Sequence, residues 1–498
     1  MNVNPITRLD YPDLDVIRVE DTYYMVSTTM HFMPGCEILQ SFDLVHWEHV
    51  TYVYETLDHT DAQQLKSGQN IYGQGMWAAS LRYHEGRFYI CFVANDTRKT
   101  YLYTSEKIDG PWKKQLIEGF YHDGSLLFDE DGRNYIVYGN DEIWITELNE
   151  DLTAPKKDGL HRLLVSDHKN PELGYEGSHI QKINGYYYIF LIHSLRDRWM
   201  RTEACFYSDS LEGEFTGGDV LCDDRGYCGQ GGAQGGIVDT PDGKWYAMLF
   251  QDSGAVGRLP ILLPVTWKDH FPVFGQNGHV PEEIEVHSTR PGYIYQPLVG
   301  SDDFCNGLLP RWQFNHDPDP RYYHLDALQG TYTITTREVC TELTQAVNTL
   351  TQRMSYPSCA AEVTVDASAL KEGDVAGLCA LQSCYAAVGI TKHHGKYEVL
   401  MLDKKEDGIL DMTEGTVVES HQMDFRLEAD FCNMKDEARC YYRVNKGDWL
   451  PIGTVHKLYF KLDHFTGCRF GLFCYAAEET GGSACFRDFK YYDVDEIS

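Results

Sequence analysis

One pattern of apolar and polar positions recurs five times in the first 300 residues. Each copy has a short apolar run, a turn that usually contains Gly or Asp, and an aromatic-rich run. Paired runs of this kind predict β-hairpins. The copies begin roughly 45–65 residues apart, which is typical of β-propeller blades, although an irregular β-sandwich with similar hairpins is an alternative. The copies are residues 16–29, 80–95, 125–140, 179–194 and 236–252.

The residues just before the first run of each copy should meet at one end of the propeller channel. Aligning the five copies on their turns places one residue of each copy at the same position. Three of these residues carry carboxyl groups, one carries an indole and one an amide. The alignment therefore predicts a cluster of polar side chains around the channel mouth. These residues are Asp13, Trp77, Asp123, Glu176 and Gln234.

The pattern changes from about residue 302. Short runs there alternate between apolar and polar residues, and polar turns separate them, as in residues 359–370 and 425–431. Alternation with a period of two indicates a β-sandwich. The predicted fold is therefore all-β, with a five-bladed propeller over residues 1–297 followed by a β-sandwich over residues 302–498.

Charge and cysteine usage exclude several classes of partner. The 498-residue chain has 43 Lys and Arg against 75 Asp and Glu, a formal net charge of −32. This charge argues against nucleic acid and anionic membranes and favours a neutral substrate. The 15 cysteines show no spacing of a zinc site. With no visible signal peptide, we expect a reduced, cytoplasmic protein without a metal.

Three carboxyls at one channel mouth allow three kinds of site. They can bind a cation through oxygen ligands. They can divide acid and base work as glycosidases do, and an indole against which a sugar ring stacks favours this reading. A sugar-binding propeller without catalysis is the third possibility, but it has no need of three acids.

Several segments together resemble glycoside hydrolase family 43. The resemblance covers residues 1 to about 295, and the remainder resembles the concanavalin-like sandwich of the xylosidase and arabinofuranosidase branch. It implies an inverting exo-glycosidase that releases arabinofuranose and/or xylose from arabinoxylan-type hemicellulose oligosaccharides. A non-catalytic carbohydrate-binding propeller and an endo-acting arabinanase remain alternatives. The segments are "YPDLDVIRV", "MWAASLRYHEGRFY", "HDGSLLFDEDGRNYIVYG", "YEGSHIQKINGYYY" and "GRLPILLPVTWKDHFPVFG".

The resemblance also implies a role for each carboxyl. Asp13 resembles the general base, with Asp15 as a rival because the residues that usually follow the base are absent. Glu176 resembles the general acid. Asp123 resembles the third acid, which orients Glu176 and raises its pKa, as a nearby anion would.

The resemblance further implies a set of substrate-binding residues. Arg258 resembles an arginine that binds the sugar deep in the pocket, and Trp77 resembles a pocket wall. His31 or Phe32 matches a loop that often carries an aromatic beside the sugar, although either residue could equally be packing. Gln234 stands where many members have a histidine linked to a hydrated metal, which weakens the case for calcium in the channel. As a substrate-binding residue, Gln234 can still contact the sugar or a bound water, and a purely structural role is the alternative.

The sandwich allows two roles. It is either a carbohydrate-binding module or a structural partner whose loop closes the pocket rim, and the aromatic-rich segment 311–325 is the candidate loop. No cofactor is required, and a homo-oligomer is possible. The acids near both ends of the domain either hold a structural calcium or are ordinary solvated surface charge; they are Asp302, Asp303, Asp488 and Asp493.

Overall fold

A computed structural model describes residues 3–493, and nearly all regular structure in them is β-strand. The first half contains five separate antiparallel sheets of four strands each. Each sheet follows the chain order, so hairpin turns connect neighbouring strands as the Gly- and Asp-containing turns predict. The strands of blades 1 to 5 are, in turn, Asp15–Val19, Thr22–Val26, Gly35–Ser41 and Glu48–Tyr54; Met76–His84, Arg87–Ala94, Lys99–Ser105 and Lys113–Ile117; Ser125–Phe128, Asn134–Asn140, Glu142–Leu148 and His161–Ser166; Glu176–Ile183, Tyr186–Ser194, Arg201–Ser208 and Thr216–Leu221; Gly232–Asp239, Trp245–Asp252, Arg258–Lys268 and Phe271–Phe274.

The five blades close into a ring. The first strand of each blade contacts the first strand of the next, and the first strand of blade 5 contacts that of blade 1. A separate apolar cluster fills each of the five gaps between neighbouring blades. The aromatic-rich second strands therefore supply the packing between blades, and the first strands line the channel. The predicted five-bladed propeller is confirmed.

The second half is a sandwich of two antiparallel sheets around its own buried core. In spatial order, the nine-stranded sheet contains Phe32–Met33, Gln313–Asn315, Leu350–Arg353, Arg469–Tyr475, Val375–Leu381, Tyr385–His393, Lys396–Lys404 and Leu410–Met412, with Thr416–Val418 also paired to Lys396–Lys404. The seven-stranded sheet contains Tyr323–Asp326, Thr331–Thr335, Ser483–Asp493, Ser358–Asp366, Gln422–Asp430, Glu437–Val444 and Leu450–Lys457. Three short 3₁₀ helices span Lys66–Gly68, Leu343–Gln345 and Cys432–Met434.

The two domains share both a sheet and a buried ion pair. The edge strand Phe32–Met33 comes from a loop of blade 1 and pairs with the sandwich strand Gln313–Asn315. Arg353 of the sandwich lies 2.8 Å from the Glu37 carboxylate of blade 1. Because backbone strand pairing and a side-chain ion pair both cross the domain boundary, the sandwich is held in a defined position relative to the propeller.

The domain limits remain predictions. The regular strands of the propeller end at Phe274 and those of the sandwich resume at Gln313, apart from the edge strand contributed by blade 1. Residues 1, 2 and 494–498, which fall within the predicted limits 1–297 and 302–498, lie outside the described residues. Within residues 3–493, no helix has the length and apolar character needed to cross a bilayer.

Candidate active site

In three of the five blades, the first strand begins with an irregularity beside the channel mouth. In blade 4, one extra residue is inserted between Glu176 and His179 relative to the facing strand. The same shift follows Trp77 in blade 2 and Ala233 in blade 5. A β-bulge of this kind re-aims the side chains around it. The bulge therefore recurs at the equivalent position in blades 2, 4 and 5, beside Trp77, Glu176 and Gln234.

Left-handed backbone conformations complete this arrangement. Asp13, Asp123 and Gln234 have φ angles of 50°, 48° and 57°. Gly177, with a φ of 64°, lets its N–H donate to Asp123 Oδ2 at 2.9 Å. A Cβ at position 177 would lie 2.7 Å from the Gln234 side chain. Glycine is therefore needed beside Glu176 both for its φ angle and for its small size.

One pocket at the channel mouth brings the five aligned residues together. Its volume is about 230 Å³, so it is a small site. Arg258 also lines it, as the sequence predicts. The lining residues are Asp13, Trp77, His122, Asp123, Asn140, Leu173, Glu176, Trp199, Arg201, Gln234, Arg258, Leu462 and Phe465.

Asp13 is buried and its two oxygens have separate partners. Oδ1 pairs with Arg258 Nη1 at 2.5 Å, and Oδ2 accepts a hydrogen bond from the Thr28 hydroxyl at 2.7 Å. The rival residue Asp15 does not line the pocket. Its carboxylate instead accepts a hydrogen bond from Arg82 Nη1 at 2.7 Å. The Arg82 ion pair lowers the pKa of Asp15 to about 2 against the opposing effect of burial. The geometry therefore favours Asp13 as the base.

Glu176 and Asp123 form a coupled carboxyl pair. Asn140 donates to Glu176 Oε2 at 2.7 Å, and the His122 Nε2 atom lies 3.5 Å from both Glu176 Oε2 and Asp123 Oδ2. Burial, with the charges of Glu176 and Asp13, raises the pKa of Asp123 to about 6, although His122 opposes the shift. Burial also raises the pKa of Glu176, but the nearby His122, with the charges of Arg201 and Arg258, outweighs it and the net pKa is lowered.

This direction differs from the sequence expectation. The resemblance implies that Asp123 raises the pKa of Glu176, whereas in the structure the pKa of Glu176 is lowered and that of Asp123 is raised. The physical reason is His122, whose charge lies against Glu176 and whose effect on the pair was missed. The position of His122 directly before Asp123 in the sequence could have identified it as a residue of the site.

Two arginines share one buried carboxylate at the back of the pocket. Asp252 accepts from Arg201 Nε at 2.6 Å and from Arg258 Nε at 3.2 Å. Arg201 Nη1 is buried without a protein partner, as is Trp77 Nε1. Both nitrogens can therefore donate to sugar hydroxyls. Arg201 begins the third strand of blade 4 as Arg258 begins that of blade 5, and this equivalence could have identified it.

Comparison with known proteins assigns the family. The profile of "Glycosyl hydrolases family 43" matches residues 3–272. The chain belongs to glycoside hydrolase family 43. The profile of the "Beta xylosidase C-terminal Concanavalin A-like domain" matches residues 301–492 of this family 43 enzyme. The predicted family, sandwich type and glycoside hydrolase class are all confirmed.

Relatives match along the whole chain of the family 43 enzyme. A β-xylosidase of Formosa agariphila is 26% identical over 99% of this chain and 89% of its own. A bifunctional GH43-CE protein of Bacteroides eggerthii has a TM-score of 0.92 and 42% identity over 99% of this chain, which spans only 64% of that protein. A family member engineered to show both endo-xylanase and exo-arabinofuranosidase activity has a TM-score of 0.86 and 27% identity, with 99% of each chain covered.

The sandwich of this family 43 enzyme completes the pocket with a loop that sequence reasoning missed. Leu462 and Phe465 line the pocket, and the Phe465 ring lies 3.9 Å from the Arg258 guanidinium carbon. The expected segment 311–325 does not line it, because Trp312 is buried in the sandwich core. The prediction that a sandwich loop closes the rim fits the structure, but the chosen segment was wrong.

His31 and Phe32 lie away from the sugar pocket of the family 43 enzyme. Neither lines the pocket, and both are buried at the domain interface. The Phe32 ring lies under the Arg469 guanidinium at 3.4 Å, and the His31 ring lies 4.8 Å from that of His316. The expected aromatic contact with the sugar is therefore not supported, and packing explains both residues.

The acids at the ends of the sandwich include one, Asp302, that takes part in hydrogen bonds of the fold. Asp302 accepts from the Trp312 indole at 2.8 Å and from the Phe304 N–H at 2.7 Å. No three of the four candidate carboxylates gather their oxygens within ion-binding reach in residues 3–493. His122, Asp123 and Glu176 do lie close enough to reach one ion. We assign these three side chains to proton transfer in glycoside hydrolysis rather than to a metal ion.

Proposed function

We propose that this enzyme is an inverting, exo-acting glycosidase that releases arabinofuranose and/or xylose from arabinoxylan-type hemicellulose oligosaccharides. One observation carries the proposal. Asp13, paired with Arg258, and Glu176, paired with Asn140, line one small pocket that contains Trp77. A carboxylate base and a carboxylic acid in one sugar-sized site are the parts that glycoside hydrolysis needs.

The reaction follows from these positions. Glu176, once protonated, donates its proton to the leaving oxygen. Asp13 accepts a proton from a water molecule as the water oxygen attacks the anomeric carbon from the opposite face. The C–O bond breaks through an oxocarbenium-like state, and the configuration inverts. Arg258 orients Asp13 and can bind a sugar hydroxyl with the rest of its donor fork.

The shape of the pocket supports exo action. The loop of Leu462 and Phe465 covers one side of the pocket, and its volume of about 230 Å³ suits a single terminal sugar. An endo-acting arabinanase needs an open cleft for a continuing chain. A non-catalytic binding propeller does not need a paired base and a coupled acid. The printed names of the relatives support a pentose substrate.

A substrate panel tests the proposal. We expect wild type to hydrolyse aryl α-L-arabinofuranosides or β-D-xylosides and to release the matching pentose from arabinoxylan oligosaccharides. Glu176→Gln should lower kcat on oligosaccharides by about 10²–10⁴-fold, with a smaller loss on aryl substrates whose leaving groups need no acid. Asp13→Asn should lower kcat on both. No hydrolysis by wild type would refute the proposed function.

Product stereochemistry tests inversion separately. Proton NMR at early times should show the anomer opposite to that of the substrate. A retained anomer would show that one carboxyl acts as a nucleophile, and it would overturn the assignment of Asp13 as a base.

We also propose that the enzyme works in a reducing compartment such as the cytoplasm, with a homo-oligomer as a further prediction. All 15 cysteines are unpaired, and ten of them are buried, as is usual for reduced proteins. Thiol titration of the denatured protein should recover all 15 free thiols. Light scattering during size-exclusion chromatography measures the assembly state.

A further inference from the structure

His122 occupies a position that the proposed chemistry does not yet use. It precedes Asp123 and lines the pocket, and its Nε2 atom lies 3.5 Å from both Asp123 Oδ2 and Glu176 Oε2. Its ring meets the Trp77 ring edge-on, with 6.3 Å between the ring centres. One nitrogen therefore faces both members of the carboxyl pair.

We propose that His122 is a positioning residue whose imidazolium, held between the two carboxyls, sets the pH range over which Glu176 can donate its proton. The inference rests on the proposed function, because it assigns Glu176 as the acid. It adds a residue to that site and a pH dependence that acid and base roles alone do not specify.

The charges around His122 favour its protonated form. Asp123 and Glu176 lie within ion-pairing distance, and Asp13 adds a further negative charge to the same pocket. Burial lowers the pKa of His122, but these three acids outweigh it and raise the pKa to about 9. The cations on the other side, Arg201 and Arg258, act with His122 to lower the pKa of Glu176.

The effect of the His122 charge on the proton affinity of Glu176 is clear from considering the carboxyl pair without that charge. Two neighbouring carboxyls in a buried site, without a cation between them, hold one proton tightly because both cannot ionise. The imidazolium weakens that hold and makes Glu176 a stronger acid toward the leaving oxygen. In each cycle Glu176 gives its proton to the leaving group and regains one from solvent, Asp13 returns the water proton to solvent, and His122 keeps its own.

A single neutral substitution tests the proposal. In His122→Asn, the basic limb of the kcat/KM profile should move upward by about one pH unit or more, because the carboxyl pair loses a neighbouring cation. His287→Asn is the matched control, since His287 is exposed and pairs only with Glu285. Its profile should match that of wild type. An unchanged basic limb in His122→Asn would overturn the proposal.

A second measurement needs no activity. In protein labelled with ¹³C at the histidine ring, the His122 signal, assigned by its loss in His122→Asn, should titrate well above the ordinary histidine value of about 6.5. In Glu176→Gln the midpoint should fall, because one of the two acid partners is neutral. Equal midpoints would overturn the proposal. If wild type hydrolyses no glycoside, the proposed function fails, while this titration still decides whether His122 is coupled to Glu176.

Discussion

At the scale of single residues, the site depends on backbone conformations that ordinary side chains avoid. Asp13, Asp123 and Gln234 all adopt positive φ angles, each at a cost of about 1–2 kcal/mol for a non-glycine residue. The hydrogen bonds that these positions gain offset the cost, as when the Gly177 N–H binds Asp123 at 2.9 Å. The turn alignment predicted which residues gather, but it contained no information about these angles.

Gly177→Ala should damage the site more than it damages the fold. A methyl group there would lie 2.7 Å from Gln234 and would strain the amide that binds Asp123. Gly185→Ala is the matched control, because Gly185 has a φ of 84° and an added Cβ meets nothing within 4 Å. We expect both variants to lose about 1 kcal/mol of stability from positive φ, measured by urea unfolding.

Only Gly177→Ala should also lose activity. We expect its kcat/KM to fall at least tenfold, because a small displacement of a catalytic group is costly, while Gly185→Ala keeps wild-type values. Equal kcat/KM values in the two variants would mean that Gly177 serves only the fold.

At the scale of elements, the sandwich loop 461–467 is part of the pocket. The Asp10 carboxylate holds this loop in place. One Asp10 oxygen accepts a hydrogen bond from the backbone N–H of Arg258 at 2.7 Å, and the other accepts one from the backbone N–H of Gly467 at 2.8 Å. The Arg258 guanidinium lies between the Phe250 and Phe465 rings. The loop therefore helps to hold Arg258, which pairs with Asp13, in position.

Phe465→Ala should lower kcat/KM by about tenfold, because a desolvated cation–π contact of roughly 1–2 kcal/mol is lost and the pocket opens to water. Lys461→Ala is the control on the same loop, since its side chain is 44% exposed and pairs with Glu406. Steady-state kinetics on an aryl pentoside measures both. A Phe465→Ala enzyme with normal kinetics would show that the loop is not part of the working site.

At the scale of the whole molecule, buried histidines join the two domains. His31 of the propeller contacts His316 and His464 of the sandwich, with ring centres 4.8 and 5.2 Å apart. Burial lowers the pKa of His316 and His464 to about 3 and that of His31 well below its usual value, and neighbouring Arg469 adds to this for His31 and His464. All three are therefore neutral at physiological pH.

Acid should weaken this junction. An unfolded histidine binds a proton near pH 6.5, whereas the folded His316 and His464 bind one only near pH 3. The unfolded state thus carries more protons between these values, and stability falls as pH decreases, by up to ~1.4 kcal/mol per pH unit for each histidine. His464→Phe should reduce the slope of Tm between pH 7 and 5, and His287→Asn should not. Parallel slopes in His464→Phe and wild type would contradict this account.

The sequence by itself determined the all-β class, the five blades, the sandwich and the ring of five residues from Asp13 to Gln234. Hairpin turns and alternating strands are local features, and a repeat transfers one local register to every copy. Only the tertiary structure decided that Phe465 enters the pocket and that Phe32 does not. It also placed His122 beside Asp123 and Glu176, where its charge lowers the pKa of Glu176 instead of leaving it raised. These outcomes depend on which side chains meet across blades and domains, and local pattern does not record such distances.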